Sequence, residues 1–539
     1  MYFFQKGKGV SANNNPALTQ AEWKPRANPW LIAFAVMLAT FLEVLDTSVA
    51  NVALPHIAGN LSAGTDEATW VLTSYLVSNA IVLPMTGWLA VRFGRKRFLM
   101  TCIATFSVAS ALCGAAPTLW ALILARVFQG AAGGALQPIS QAILLESFPP
   151  AKRGVAMAIF AMGVVVAPII GPTLGGWITD NYSWRWIFYI NLPIGILAFY
   201  MCRMSIEDPP YLISARQSTT ARIDYFGFSL MAIWLATLQI ILDKGQQDDW
   251  FAAQWIRWAA AISFVAMVCF IIWEIRQKQP VVNLRVLKNR NFAMGTALMT
   301  LLGVVLYSTI TLQPLFLQNL MGYSAMDSGM ALSPRGIGAI LAIFFVGKVI
   351  GKLDSRILIA CGFITLAGVS YDLSGLNLQM SLANIIVPNI IMGLAMGFIF
   401  VPLTTLTMGG LPNEQMGNAA GIFNLMRNLG GSIGISAVTT MLARNAQEHQ
   451  TFIAAHFNPY NPQLQHYAHK LSSLFALKAP PDYLDHKTYL TLYNLAVQQS
   501  TLLAYMDNFR LLAYVCLLCI PAVLVLKGLR SRSGPVGGR

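Results

Sequence analysis

Glu43-Val-Leu-Asp-Thr-Ser-Val-Ala-Asn-Val-Ala-Leu-Pro55 lies inside the first long apolar run of a 539-residue chain. From Asn28 to Leu42 the sequence has the composition of a membrane-crossing helix, and two carboxylates then stand where hydrocarbon is expected. Glu43, Asp46, Thr47, Ala50 and Asn51 recur at i, i+3, i+4, i+7 and i+8, which puts them on one helical face. A carboxylate at mid-bilayer costs roughly 2.5–3.5 kcal/mol on insertion scales, so such a group faces protein or a wet cavity. The stripe is either an acidic face at the membrane edge or a protonatable site on a transport path. We read it as the second.

The apolar character continues along the chain. It is 56% hydrophobic and 11% charged, against about 25% charged for a soluble domain. Runs of 18 or more apolar residues recur to the C-terminal region, giving about fourteen spans of a polytopic, all-α membrane protein. The net charge of +14 comes from lysines and arginines in short loops between spans. That placement marks a cytoplasmic face rather than a nucleic-acid surface. Counting spans puts Arg92–Arg97, Lys152–Arg153, Arg203–Arg222, Arg276–Arg290 and Lys348–Arg356 on one side, with both termini. The alternate loop Asp243–Asp249 is acidic. Residues 1–27 hold no apolar core of a leader, and the first run is too long for a cleaved signal, so it reads as a retained anchor. The seven cysteines are unpatterned and read as small core residues.

An internal repeat organises the spans. Phe148–Phe160 lies over Leu411–Phe423 without a gap, Pro149 falling on Pro412, an offset of 263 residues. The same offset carries Gly130 onto Gly393, Gly134 onto Gly397 and Gly171 onto Gly434. It maps the fifth span onto the thirteenth, a shift of eight. Two six-helix halves with two helices inserted between them produce that shift, and parallel repeats of this kind hold a substrate site at their interface. The expected organisation is a cytoplasmic segment 1–28, a bundle 29–204, inserted helices within 224–274, a second bundle from 291–442 and 508–527, an outward-facing loop 443–507 and a cytoplasmic tail 528–539.

Three polar patterns interrupt the hydrocarbon. After the second span comes Gly87-Trp-Leu-Ala-Val-Arg-Phe-Gly-Arg-Lys-Arg97, where Gly87 and Gly94 permit a tight turn and Arg92 and Arg95 anchor it to the cytoplasmic face. In the fourth span Arg126, Gln129, Gly133, Gln137 and Ser140/Gln141 share a face. At about 1.5 Å per residue, Arg126 lies roughly 12 Å from its periplasmic start and Asp46 on the order of 24 Å from its cytoplasmic start, so the two can pair in the outer half of the membrane. That pair serves either proton coupling or structure alone. In the fifth span, Ala167-Pro-Ile-Ile-Gly-Pro-Thr-Leu-Gly-Gly176, Pro168 and Pro172 bend a helix while Gly171, Gly175 and Gly176 smooth one face for packing.

The loop at 87–97 resembles that of the major facilitator superfamily, with Val91 where the family has Asp. Arg126-Val-Phe-Gln-Gly130 is similar to that family's Arg-x-x-Gln-Gly, and Ala167–Gly176 to the Gly-x-x-x-Gly-Pro-x-x-Gly-Gly of its drug–proton antiporters, with Ala167 for the first Gly. With Leu45–Pro55, these residues resemble the fourteen-span drug:H+ antiporters, especially the EmrB-like inner-membrane subunits of tripartite multidrug efflux pumps. The resemblance implies a major facilitator fold in the bacterial inner membrane, proton-driven export of hydrophobic or amphipathic drugs, and coupling through Asp46 and Arg126, with Glu43 as a second acid. It also implies a periplasmic membrane-fusion adaptor (EmrA-like) docking at 443–507 and an outer-membrane channel beyond it. A same-fold exporter of one metabolite or fatty acid is the alternative, and a non-transport membrane receptor or enzyme is the alternative from a different class.

From face and depth, Gln137, Phe160, Tyr307, Gln313 and Phe423 are expected to line the cavity between halves. In the thirteenth span Asn424, Arg427, Asn428 and Gly431 repeat the polar stripe, Arg427 binding substrate, locking the closed state or serving structure. Arg335 and Asp372 fall near span ends and carry less information. Five of six histidines lie in 443–506 and read as scattered surface residues rather than a metal site. The sequence shows no metal-ligand spacing, nucleophile elbow or phosphate-cradling loop, so no cofactor and no enzyme is expected, and no soluble signalling domain follows the last span.

Overall fold

A computed structural model of the chain describes residues 25–149, 152–209, 224–277, 280–350, 353–381, 383–458, 460–476 and 484–527. The expected tail 528–539 and most of the segment 1–28 lie outside the described residues, as does much of the basic loop 203–222.

The chain is helical throughout its spans. We label α1 Pro29–Asn60, α2 Trp70–Phe93, α3 Arg95–Ala115, α4 Leu119–Ser147, α5 Arg153–Asn181 and α6 Trp186–Ser205. The inserted helices are α7 Tyr225–Lys244 and α8 Gln254–Arg276. Then come α9 Arg290–Leu315, α10 Pro334–Val349, α11 Ser355–Asp372, α12 Ala383–Met408 and α13 Met416–Ala454. α14 is Pro462–Ala476 and α15 is Leu484–Val525. Among the described residues, thirteen helices are long and apolar enough to cross a bilayer. α13 is more polar, because it carries Asn424, Arg427 and Asn428, yet it packs tightly on α9 and α15.

Packing reproduces the shift of eight. α1 packs on α5 as α9 does on α13; α2 packs on α4 as α10 does on α12; α3 packs on α4 as α11 does on α12. α7 and α8 pair with each other, and α7 touches both α2 and α13. Glycines set the closest approaches. A Cβ on Gly130 would come within 2.3 Å of the Tyr75 carbonyl oxygen, and one on Gly393 within 1.9 Å of the Arg335 carbonyl oxygen. α2·α4 and α10·α12 are therefore the same joint built twice.

Residues 443–507, expected as an outward-facing loop, are largely helical among the described residues. α13 continues to Ala454, α14 follows, and α15 begins at Leu484. At about 1.5 Å per residue the 42-residue α15 is on the order of 60 Å long, twice a ~30 Å hydrocarbon core. The two extensions meet through His449 and Asp507, 2.7 Å apart.

Candidate functional site

Asp46 sits on α1, 2% exposed, and its carboxylate is completely engaged. Arg126 Nη1 of α4 donates to Oδ2 at 2.6 Å. Gln129 Nε2 and Asn191 Nδ2 donate to Oδ1 at 2.8 and 2.7 Å. Arg126 is held in turn by the Val71 carbonyl at 3.1 Å and Gln129 Oε1 at 2.9 Å, with its guanidinium 4.2 Å above the Tyr75 ring. Four helices, α1, α2, α4 and α6, thus converge on one buried charge pair. A buried pair is tolerated when further hydrogen bonds support it, and here both carboxylate oxygens and the Arg126 Nε and Nη1 are engaged. The depth estimate from opposite ends of α1 and α4 had allowed this pairing. Gln129 belongs to the α4 stripe expected from sequence, whereas Asn191 and Tyr75 join the site from α6 and α2.

Glu43, one turn earlier on α1, is 5% exposed and accepts from Asn79 Nδ2 at 3.1 Å, while its Oε2 has no partner. Gly133 lies beside it and leaves room for Tyr75, whose hydroxyl a Cβ there would meet at 2.7 Å. Arg427, 1% exposed, lies across the interface, and its Nη2 donates to Gln137 Oε1, while its Nε and Nη1 are unsatisfied. Asn424 Nδ2 donates to Gln141 Oε1 at 2.7 Å. These two bonds tie the polar stripe of α4 to that of α13, so the halves are joined along the line where the repeats meet. Asn51, assigned to the acidic stripe, is exposed instead.

Phe160 and Phe423, expected at a cavity wall, are fully buried in the packed core. Tyr307 is partly buried against Gly431, where a Cβ would strike its ring at 2.4 Å. Gln313 joins Arg335 and Asn389. The residues named for the cavity therefore fall into separate clusters with the halves closed on each other.

The proline motif is explained by its missing donor. Pro172 has no N–H to give the Pro168 carbonyl, and Ser48 Oγ, two residues beyond Asp46, donates to that carbonyl at 3.2 Å instead. Gly171 makes the approach possible, since a Cβ there would lie 2.3 Å from Ser48 Oγ. Gly175 packs on Val49, whose side chain a Cβ would meet at 2.9 Å, and Gly176 is buried beside it. α5 in turn packs on α10 and α12 of the other half.

Near the end of α2, Gly87 abuts the α13 backbone, with Asn418 N 2.6 Å from where a Cβ would stand. Gly94 adopts φ +85°, a conformation suited to glycine. Its turn is fixed by Asp208, which accepts from the Lys96 N–H at 2.8 Å, and by an Arg95–Glu146 ion pair. With Val91 in place of an acid, Asp208 and Glu146 supply the carboxylates on this loop. Arg92 is exposed.

The Major Facilitator Superfamily profile matches residues 36–435. The multidrug export protein EmrB of Haemophilus influenzae is 40% identical over 82% of this chain and 86% of its own. The fatty acid resistance protein FarB of Neisseria gonorrhoeae is 40% identical over 83% and 87%, and EmrB of Escherichia coli K12 is 40% identical over 81% and 84%. Among solved structures, a double Trp mutant of XylE superposes with TM-score 0.60 at 13% identity, covering 94% of this chain and 97% of that one. The human organic anion transporter MFSD10 superposes with TM-score 0.58 at 13% identity, covering 91% and 100%. These structures share the fold.

Proposed function

From the fact that this chain belongs to the EmrB-like multidrug exporters of the major facilitator superfamily, multi-pass proteins of the bacterial inner membrane, we propose that it is a proton-driven exporter of hydrophobic and amphipathic compounds, coupled at Asp46. The observation that carries the proposal is the Asp46–Arg126 pair with its Gln129 and Asn191 donors, buried where α1, α2, α4 and α6 meet. A proton on Asp46 cancels the charge that holds Arg126. Arg126 keeps the Val71 carbonyl and Gln129, so the contact that loosens is α1 against α4. α1 is pinned to α5 through Ser48 and Pro168, and α5 bears on the opposite half. Protonation thus becomes a change in how the halves meet, and release to the cytoplasm resets it. Glu43, with one free oxygen beside the Gln137–Arg427 bond, senses the same closure.

The lysine and arginine loops support a topology with both termini in the cytoplasm and α14, with the ends of α13 and α15, in the periplasm. There Phe452, Tyr460, Tyr467 and Tyr493 are exposed, a surface suited to a membrane-fusion adaptor leading to an outer-membrane channel. FarB, named for fatty acid resistance, is as similar as the drug exporters, so amphipathic acids belong among the cargo considered. In cells lacking their own efflux pumps, expression is expected to lower dye accumulation, and a protonophore to restore it. Unchanged accumulation with the protein present in the membrane contradicts the proposal.

A further inference from the structure

The N-terminal half balances its buried arginine with a carboxylate, and the C-terminal half leaves one unbalanced. Arg335 on α10 is 5% exposed. Its Nε and Nη2 donate to Asn389 Oδ1 at 3.1 and 3.0 Å, and Nη2 also to Gln313 Oε1. Both acceptors are neutral amides. The three helices that supply these residues, α9, α10 and α12, contain no aspartate or glutamate. Asp327, the acid nearest in sequence, is exposed and bonds to Ser324 at the start of its own short helix. By contrast Arg126 faces Asp46 and Arg95 faces Glu146.

The repeat sharpens the contrast. The offset that aligns Gly130 with Gly393 places Arg126 on Asn389. Since Gly130 packs on the Tyr75 carbonyl and Gly393 on the Arg335 carbonyl, Arg335 stands where the other half has Tyr75. The guanidinium has moved from the fourth helix of the half to the second, the fourth offers an amide, and the first offers Gln313 rather than an acid. What remains are donors. Gln313 Nε2 is buried with no acceptor, and its Oε1 is already used by Arg335. A buried cation beside an orphaned N–H calls for an anion. Directly after Pro314 the chain winds into a π turn, Phe316–Leu320, a distortion often found at functional sites, and Phe316 packs on Tyr505 with ring centroids 5.4 Å apart.

Resting on the export reading above, we propose that Arg335 and Gln313 bind the carboxylate head of an amphiphilic substrate, its alkyl chain lying along the apolar surroundings.

The test uses full-length protein in phosphatidylcholine nanodiscs and equilibrium binding of radiolabelled dodecanoate and dodecyltrimethylammonium, with empty nanodiscs subtracted. Arg335→Gln is expected to lower the ratio of dodecanoate to dodecyltrimethylammonium affinity at least about tenfold. Gln313→Glu supplies an internal counter-ion, and is expected to raise the melting temperature while removing dodecanoate binding. A parallel fall for both ligands in Arg335→Gln, or wild-type dodecanoate binding in Gln313→Glu, overturns the assignment. If the wild type exports the cation in a protonophore-sensitive manner while Arg335→Gln leaves dodecanoate affinity unchanged, the anion assignment alone falls. If the wild type binds neither amphiphile, the export reading falls with it.

Discussion

Asp46→Asn is expected to leave a transporter that binds drug and exchanges drug for drug, and that no longer concentrates drug against a gradient. Asparagine keeps the shape of aspartate and can still accept from Gln129 and Asn191, so the site remains filled. It cannot carry the charge that a proton would cancel. A proton crossing 100 mV supplies about 2.3 kcal/mol, which for an uncharged drug exchanged one for one sustains a gradient of about 50-fold. In proteoliposomes that gradient should collapse to none in the variant while drug–drug exchange persists. Retention of the gradient would show that another group takes the proton. Glu43→Gln is the control for the second acid, because Glu43 lies one turn away with an unpartnered oxygen.

Arg126→Gln should be the most destabilising single change at the site. It leaves Asp46 buried with its principal partner gone, and breaking a buried pair by removing one member costs about 3–5 kcal/mol. It also removes the bond to the Val71 carbonyl and the stacking on Tyr75. The double variant Asp46→Asn/Arg126→Gln carries neither charge and should recover most of the loss, since neutral groups of similar volume replace such pairs at little cost. Denaturant titration in mild detergent measures this. Losses that simply add in the double variant would mean that the two residues act independently. Recovered stability without recovered drug accumulation would separate the structural duty of the pair from its coupling duty.

Much of this was legible in the residues because membrane helices write polar function as exceptions to an apolar rule. The α1 stripe, the α4 stripe and the proline–glycine stretch of α5 stood out against hydrocarbon, and the repeat offset already gave the eight-helix shift seen in the packing. What escaped notice lacked that contrast. Asn191 is a single polar residue at the start of a helix whose other polar groups face elsewhere. Ser48 is small enough to pass as a packing residue, and only its distance to the Pro168 carbonyl reveals that it replaces a lost backbone bond. Arg335 carried little information near a predicted span end, because sequence does not show the amides of α9 and α12 that hold it inside. Phe160 and Phe423 were placed at a cavity by face and depth, yet in the closed arrangement those faces meet each other's neighbours and become core.

The most direct measurement is difference infrared spectroscopy of the purified protein in lipid as the pH is lowered, following the band of a protonated carboxylic acid. The account predicts that such a band appears in the wild type, shifts when drug is added, survives in Glu43→Gln and is absent from Asp46→Asn. The same band persisting in Asp46→Asn would contradict it, because the hydrogen ion would then be carried somewhere other than the carboxylate facing Arg126.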